Sequence, residues 1–198
     1  RSLIESPEFA TEVGVPGQDH RWSDISLPAI ARRKRELQAP LKVLRAINRA
    51  QLNATDQLSY DLFRNNQEQA VEGTRFPTEY FQITQLNGIP QDTARLLAIA
   101  PHATIPDYEH LIARLNGVPG LVDQTLVLLK QGLTAGITPP RVTLRDVPQQ
   151  VKNQMETDPQ RNSLLDSFRK FPAEIPEAQQ MRLRREAERW VSASAIVS

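Results

Sequence analysis

Residues Pro101–Pro140 read PHATIPDYEHLIARLNGVPGLVDQTLVLLKQGLTAGITPP. Apolar side chains recur here at helical spacing in two runs. The first is Tyr108, Leu111, Ile112 and Leu115. The second is Leu121, Thr125 and Leu128, with Val122, Leu126, Leu129 and Leu133 offset by one. A strand alternates with period two and fits neither run. Thr104 stands where a helix N-cap belongs, with Pro106 and Asp107 in the first turn. Asn116-Gly117 is a stop signal and Pro119 a start signal, so the stretch predicts two helices packed as a hairpin. The second helix is apolar on two faces and is expected to be central and buried.

The same reading extends outward in both directions. Fifteen prolines stand against eight glycines, and the prolines fall mostly between periodic segments. Pro7, Gly14, Pro16 and Gly17 predict an irregular leader over residues 1–25. Ser26 or Asp24 caps a first helix whose apolar positions are Leu27, Ile30, Leu37, Leu41, Leu44 and Ile47, with a kink or break at Pro40. Asn53 or Thr55 caps a second helix, ending at Gly73, with Leu58, Leu62 and Phe63 as its buried stripe. Residues 74–88 predict a loop rich in aromatics, and Asp92 to Ala100 a short helix. A helix from Pro140 carries Leu144, Val147, Val151 and Met155 in phase, with Pro148 inside it. Residues 157–175 read as loop. A terminal helix from Glu177 to about Ile196 has Arg182 and Glu186, and Arg184 and Glu188, each four apart on a solvated face. The expectation is one all-α domain over 1–198, an irregular bundle of six to eight helices: leader 1–25, helical core 26–156, loop 157–175 and terminal helix 176–198.

Composition removes several functional classes. The chain has 198 residues, 39% hydrophobic and 24% charged, with a net charge of +1 and no cysteine. It therefore has no thiolate nucleophile, no disulfide frame and no global field for nucleic acid or anionic membrane. No apolar run reaches the roughly 20 residues needed to span a bilayer. Residues 21–49 hold eight Arg or Lys against two Asp or Glu. Within them, Arg32-Arg33-Lys34-Arg35 points around more than half a helix turn. The stripe of Ile30, Leu37, Leu41 and Leu44 explains that helix without a nucleic-acid partner. The start at Arg1 and the finish at Ile196-Val197-Ser198 are the ends expected of a piece of a longer polypeptide, one whose upstream signal could have been removed.

Motifs for catalysis are absent. There is no His-Glu-x-x-His, no glycine-rich phosphate loop and no Gly-x-Ser-x-Gly elbow. His20, in Asp19-His20-Arg21-Trp22-Ser23-Asp24, suits either a polar loop reaching a ligand or, more simply, a loop whose Trp22 plugs the helical core. Asp107 and His110 share one helix face but lack further ligands at matching spacing. His102 is a loop residue with no base nearby. The carboxylates of Asp61, Glu68 and Glu72 read as helix surface.

A set of ordered segments nevertheless resembles the amino-terminal part of the bacterial family called domain of unknown function 885. They are Ala10-Thr11-Glu12-Val13-Gly14, His20 to Asp24, Leu52 to Phe63, Pro106-Asp107-Tyr108-Glu109, Arg114-Leu115, Pro119, Val122-Asp123-Gln124, Leu128-Leu129, Gly132 to Val142, and Phe171-Pro172. The resemblance implies a mostly helical protein roughly three times this length, similar to zinc-dependent peptidases. The zinc ligands and glutamate base of such a protein would lie beyond Ser198. It implies no catalytic, cofactor or metal residue in this chain. It also implies a helical wall beside a substrate channel, with His20, Trp22, Asp24, Phe76, Tyr80 and Phe81 as channel or interface lining. The partners implied are the carboxy-terminal remainder and a peptide substrate, with a homodimer as a further expectation. Some members look like exported lipoproteins, which favours an exported or periplasmic setting over the cytoplasm. The alternative reading is a stand-alone helical binding or scaffold module without enzymatic activity.

Overall fold

The structure is a computed structural model that describes residues 2–156 and 158–194. In chain order the helices are α1 (Ser2–Glu5), α2 (Pro7–Glu12), α3 (Leu27–Glu36), α4 (Ala39–Arg45), α5 (Ala54–Gly73), α6 (Ile89–Ile99), α7 (Ile105–Thr134), α8 (Val147–Gln154) and α9 (Glu177–Ser194). Four short 3-10 turns join them, and the described residues contain no strand. The all-α class follows from the helical periodicity. The chain divides into two compact units: residues 1–24 with 81–198, and residues 25–80.

The first unit is built on α7. Thr104 Oγ1 accepts from the Asp107 N–H, while the Asp107 carboxylate accepts from the Thr104 N–H at 2.8 Å, a reciprocal capping box. Two orphan donors at the helix start are thereby satisfied. Tyr108, Leu111 and Leu115 of α7 pack with Leu97 of α6, Phe168, and Leu183, Ala187 and Val191 of α9. Burying each leucine stabilises by about 1.5–3 kcal/mol. Tyr108 also lies 4.5 Å from Phe171 between ring centroids. On α9 the expected Arg182–Glu186 pair forms at 3.2 Å, and Arg182 reaches Glu109 at 2.8 Å.

The expected hairpin is corrected: residues 105–134 form one helix with Pro119 inside it. An interior proline removes a backbone hydrogen bond to the carbonyl four residues back, here Leu115, at about 3 kcal/mol or more. Packing on both sides of the proline opposes this. Leu115 and Val118 are buried before it, and Thr125, Leu128 and Gly132 after it. The neighbouring Arg114 carbonyl receives an external donor, the Trp22 indole N–H at 2.7 Å. The distal half is less buried than expected, since Leu126, Val127 and Leu133 are exposed.

Other expectations shift similarly. The leader carries two short helices, α1 and α2. The helix expected from Pro140 is split into a 3-10 turn, Arg141–Leu144, and α8. Pro148 then sits in the first turn of α8, where its missing N–H has no ladder partner to lose. The loop 157–175 contains a 3-10 turn, Ser163–Phe168. The terminal helix is followed to Ser194, and residues 195–198, with Ile196, lie outside the described residues.

In the second unit the expected break comes at Leu37–Gln38, just before Pro40, which sits in the first turn of α4; it separates α3 from α4. Ser26 caps α3, and Asn53 Oδ1 accepts from the Asp56 N–H at 2.9 Å to cap α5. Arg49 grips Asp61 with two nitrogens, and Gln67 donates to the Leu37 carbonyl at 2.9 Å. The expected buried stripe is overturned: Leu58 is 61% exposed, Leu62 56% and Phe63 47%. No residue of α5 is buried. Ala29 and Leu44 are the apolar side chains of this unit with little solvent exposure.

Candidate functional site

The most specific polar arrangement lies where α2 and the segment Gln18–Ser23 meet the middle of α7. Arg114 is fully buried. Its Nη2 donates to Thr11 Oγ1 at 2.7 Å and reaches the Pro7 and Gln18 carbonyls; its Nε donates to the Arg21 carbonyl at 3.2 Å. Thr11 in turn donates to Asp19 Oδ1 at 2.7 Å. The Arg114 guanidinium also stands over the Trp22 ring, 5.3 Å from its centroid. Burial lowers the Arg114 pKa from its ordinary value, with Asp19 and Glu8 acting in the opposite direction. An arginine stays charged through such a shift, so this is a buried cation held by carbonyls, a hydroxyl and nearby carboxylates. Its Nη1 is buried without a hydrogen-bond partner.

Trp22 closes the arrangement from outside. A Cβ on Gly117 would lie 2.8 Å from Trp22 Cδ1, so the absence of a side chain at 117 is what admits the indole. The dipeptide that reads as a helix stop is thus a packing notch within a continuous helix. Ser23 fastens the same segment, its N–H donating to Glu8 Oε1 at 2.8 Å.

His20 is exposed and lies against His110, with ring centroids 5.6 Å apart. Sequence spacing joins His110 to Asp107 and gives no sign of His20, because that contact crosses ninety residues of chain. Asp107 is engaged in the capping box. Burial raises its pKa, but bonds from Thr104 and Ala103 together with His110 outweigh this and leave it lowered. His102 is exposed, and its Nδ1 lies 2.9 Å from the Ala100 carbonyl. Among the described residues no group of three or more His, Cys, Asp or Glu could hold a metal ion.

The remaining lining residues divide between the units. Phe76 is exposed and Tyr80 half-buried in the second; Phe81 and Asp24 are exposed in the first. A cleft of about 290 Å³ in the first unit is bordered by Leu165, Phe168, Arg169, Arg184 and Glu188. Its arginines serve the fold: Arg184 donates to the Phe168 and Arg169 carbonyls, and Arg169 to that of Asn162.

Arg114 is the residue that sequence reasoning missed as a centre. It stands at a helical core position between Leu111 and Leu115, and a charged residue there reads as a surface residue. The one available signal was its place in the apolar phase of the helix.

Residues 7–197 match the family model described as bacterial protein of unknown function (DUF885). The match covers nearly the whole chain, which belongs to that family. No curated protein matches it significantly. No helix among the described residues is long and apolar enough to cross a membrane.

Proposed function

We propose that this chain is the amino-terminal helical part of a larger, zinc-peptidase-like protein, forming one wall of a substrate channel and holding no reactive centre of its own. The observation that carries the reading is the bare face of α5. Thr55, Leu58, Ser59, Leu62, Phe63 and Asn66 are all exposed and uncharged, on a helix with no buried residue. A surface of this kind suits contact with further protein. The all-α fold supports the helical part of the reading.

In this reading His20, Trp22, Asp24, Phe76, Tyr80 and Phe81 line the channel or the contact with the carboxy-terminal remainder. The substrate is a peptide, and the setting is exported or periplasmic. Zinc titration with a peptidase assay on the isolated 198-residue chain is the test. Neither tight stoichiometric zinc binding nor turnover is expected, and either one overturns the assignment. The self-contained core of the first unit favours a second reading, a stand-alone helical scaffold. A parent gene that stops soon after Ser198 without a zinc motif would select it.

A further inference from the structure

Two Asn-Gly dipeptides occur in the chain, Asn87-Gly88 and Asn116-Gly117, and the fold treats them oppositely. In such a pair the backbone nitrogen after the asparagine can attack the side-chain amide, because the glycine has no Cβ to obstruct the approach. Asn87 is exposed, in a turn closed by the Thr84 N–H donating to the Asn87 carbonyl at 3.0 Å. Thr84 Oγ1 accepts from the N–H groups of Leu86 and Asn87, which leaves its own proton for Asn87 Oδ1, 2.6 Å away. A donor at that oxygen stabilises the negative charge that develops when the amide carbon is attacked. On the other side, the Gly88 N–H donates to Asp92 Oδ2 at 2.7 Å. A carboxylate therefore lies against the proton that the attacking nitrogen must lose. Gly88 holds φ +113°, and a Cβ there would lie 2.7 Å from the Gln82 carbonyl oxygen, so the fold itself demands glycine at this position.

We propose that Asn87 is a self-modifying site that converts to aspartate and isoaspartate through a succinimide, while Asn116 is inert. The Gly88 nitrogen bonds to Asn87 Cγ and its proton passes to Asp92. The Cγ–Nδ2 bond then breaks, and Nδ2 leaves as ammonia with that proton. Water opens either carbonyl of the ring, leaving an aspartyl or an isoaspartyl residue at this position. No oxidant or cofactor takes part. Asn116 is in the middle of α7, where the helical ladder engages the Gly117 N–H and the Trp22 indole covers Gly117. The same nitrogen cannot turn back there without unwinding the helix.

The test incubates the whole folded chain in warm, mildly alkaline buffer and follows both sites by peptide mass spectrometry, beside a urea-unfolded control. The folded chain is expected to convert Asn87 faster than Asn116 by about tenfold or more, a barrier difference of about 1.4 kcal/mol. The unfolded control is expected to convert both alike. Equal folded-state rates overturn the proposal, as does an Asn87 that stays intact in the folded chain while the control converts. Asp92→Asn, with its helix content checked by circular dichroism, is expected to slow Asn87 several-fold. An unchanged or faster rate would reduce Asp92 to a clamp on the Gly88 N–H and overturn the proton-transfer step.

Discussion

Gly117→Ala sets two known effects against each other in the middle of α7. An alanine favours a helix interior over glycine by about 0.8–1 kcal/mol. Here, however, its methyl group would lie 2.8 Å from Trp22 Cδ1 and 3.3 Å from Nε1. An indole is rigid, so the whole ring must move. Overpacking of this kind costs about 1–3 kcal/mol. Displacing the ring also strains the 2.7 Å bond from Trp22 to the Arg114 carbonyl, worth about 1 kcal/mol. Part of the cation–π contact with Arg114, itself about 1–2 kcal/mol when desolvated, is lost as well. The balance is a net destabilisation of about 1–3 kcal/mol. Gly120→Ala is the control: nothing lies within 4 Å of its added Cβ, so the propensity gain of up to about 1 kcal/mol stands alone. Urea unfolding followed by far-ultraviolet circular dichroism should therefore move the two midpoints in opposite directions. If Gly117→Ala raises the midpoint as Gly120→Ala does, Trp22 does not pack in the notch and the account of the α7 centre fails.

Arg114→Ala leaves Thr11 and Asp19 facing an empty volume, and removing one member of a buried charged network costs about 3–5 kcal/mol. Amide exchange in Pro7–Glu12 should accelerate well before that in α9, and uniform loss of protection would contradict a local role. Asp107 has a lowered pKa, so its contribution is present above its unfolded pKa, about 3.9, and is lost as the pH falls through the folded value. Asp107→Asn should flatten the acid side of the stability–pH curve, and an unchanged curve would remove Asp107 from that role. Leu58→Ser with Leu62→Ser should alter stability by less than about 0.5 kcal/mol per site, as exposed positions do. In sedimentation the same double variant should weaken the self-association expected of the isolated chain, and a large loss of stability would mean that α5 is covered.

Local chemistry was legible in this sequence and long-range chemistry was not. Ser26, Asn53 and Thr104 were readable as caps because a cap is decided within three residues. The break just before Pro40 was readable for the same reason. Gly117 and Pro119 misled because stop and start signals are local, whereas the helix is carried through them by Leu115, Val118, Thr125 and Leu128 and by an indole from residue 22. The stripe of Leu58, Leu62 and Phe63 was correctly seen as apolar. Periodicity reports that a face is amphipathic, but not whether anything lies on it. Arg114 was unreadable as a centre because its partners Pro7, Thr11, Gln18 and Arg21 lie about a hundred residues earlier.

That separation bears on biogenesis. The Trp22 bond to α7 spans 92 residues and the Arg114 contact with Pro7 spans 107. Ribosomes add about 5–20 residues per second, so the leader waits about 5–20 seconds before its docking partner exists. For that interval Ala10, Thr11 and Trp22, which the finished fold covers wholly or in part, have no α7 to settle against. This segment, synthesised well before α7, is thus left waiting for its native surroundings, and it is where a holding chaperone would find its opportunity.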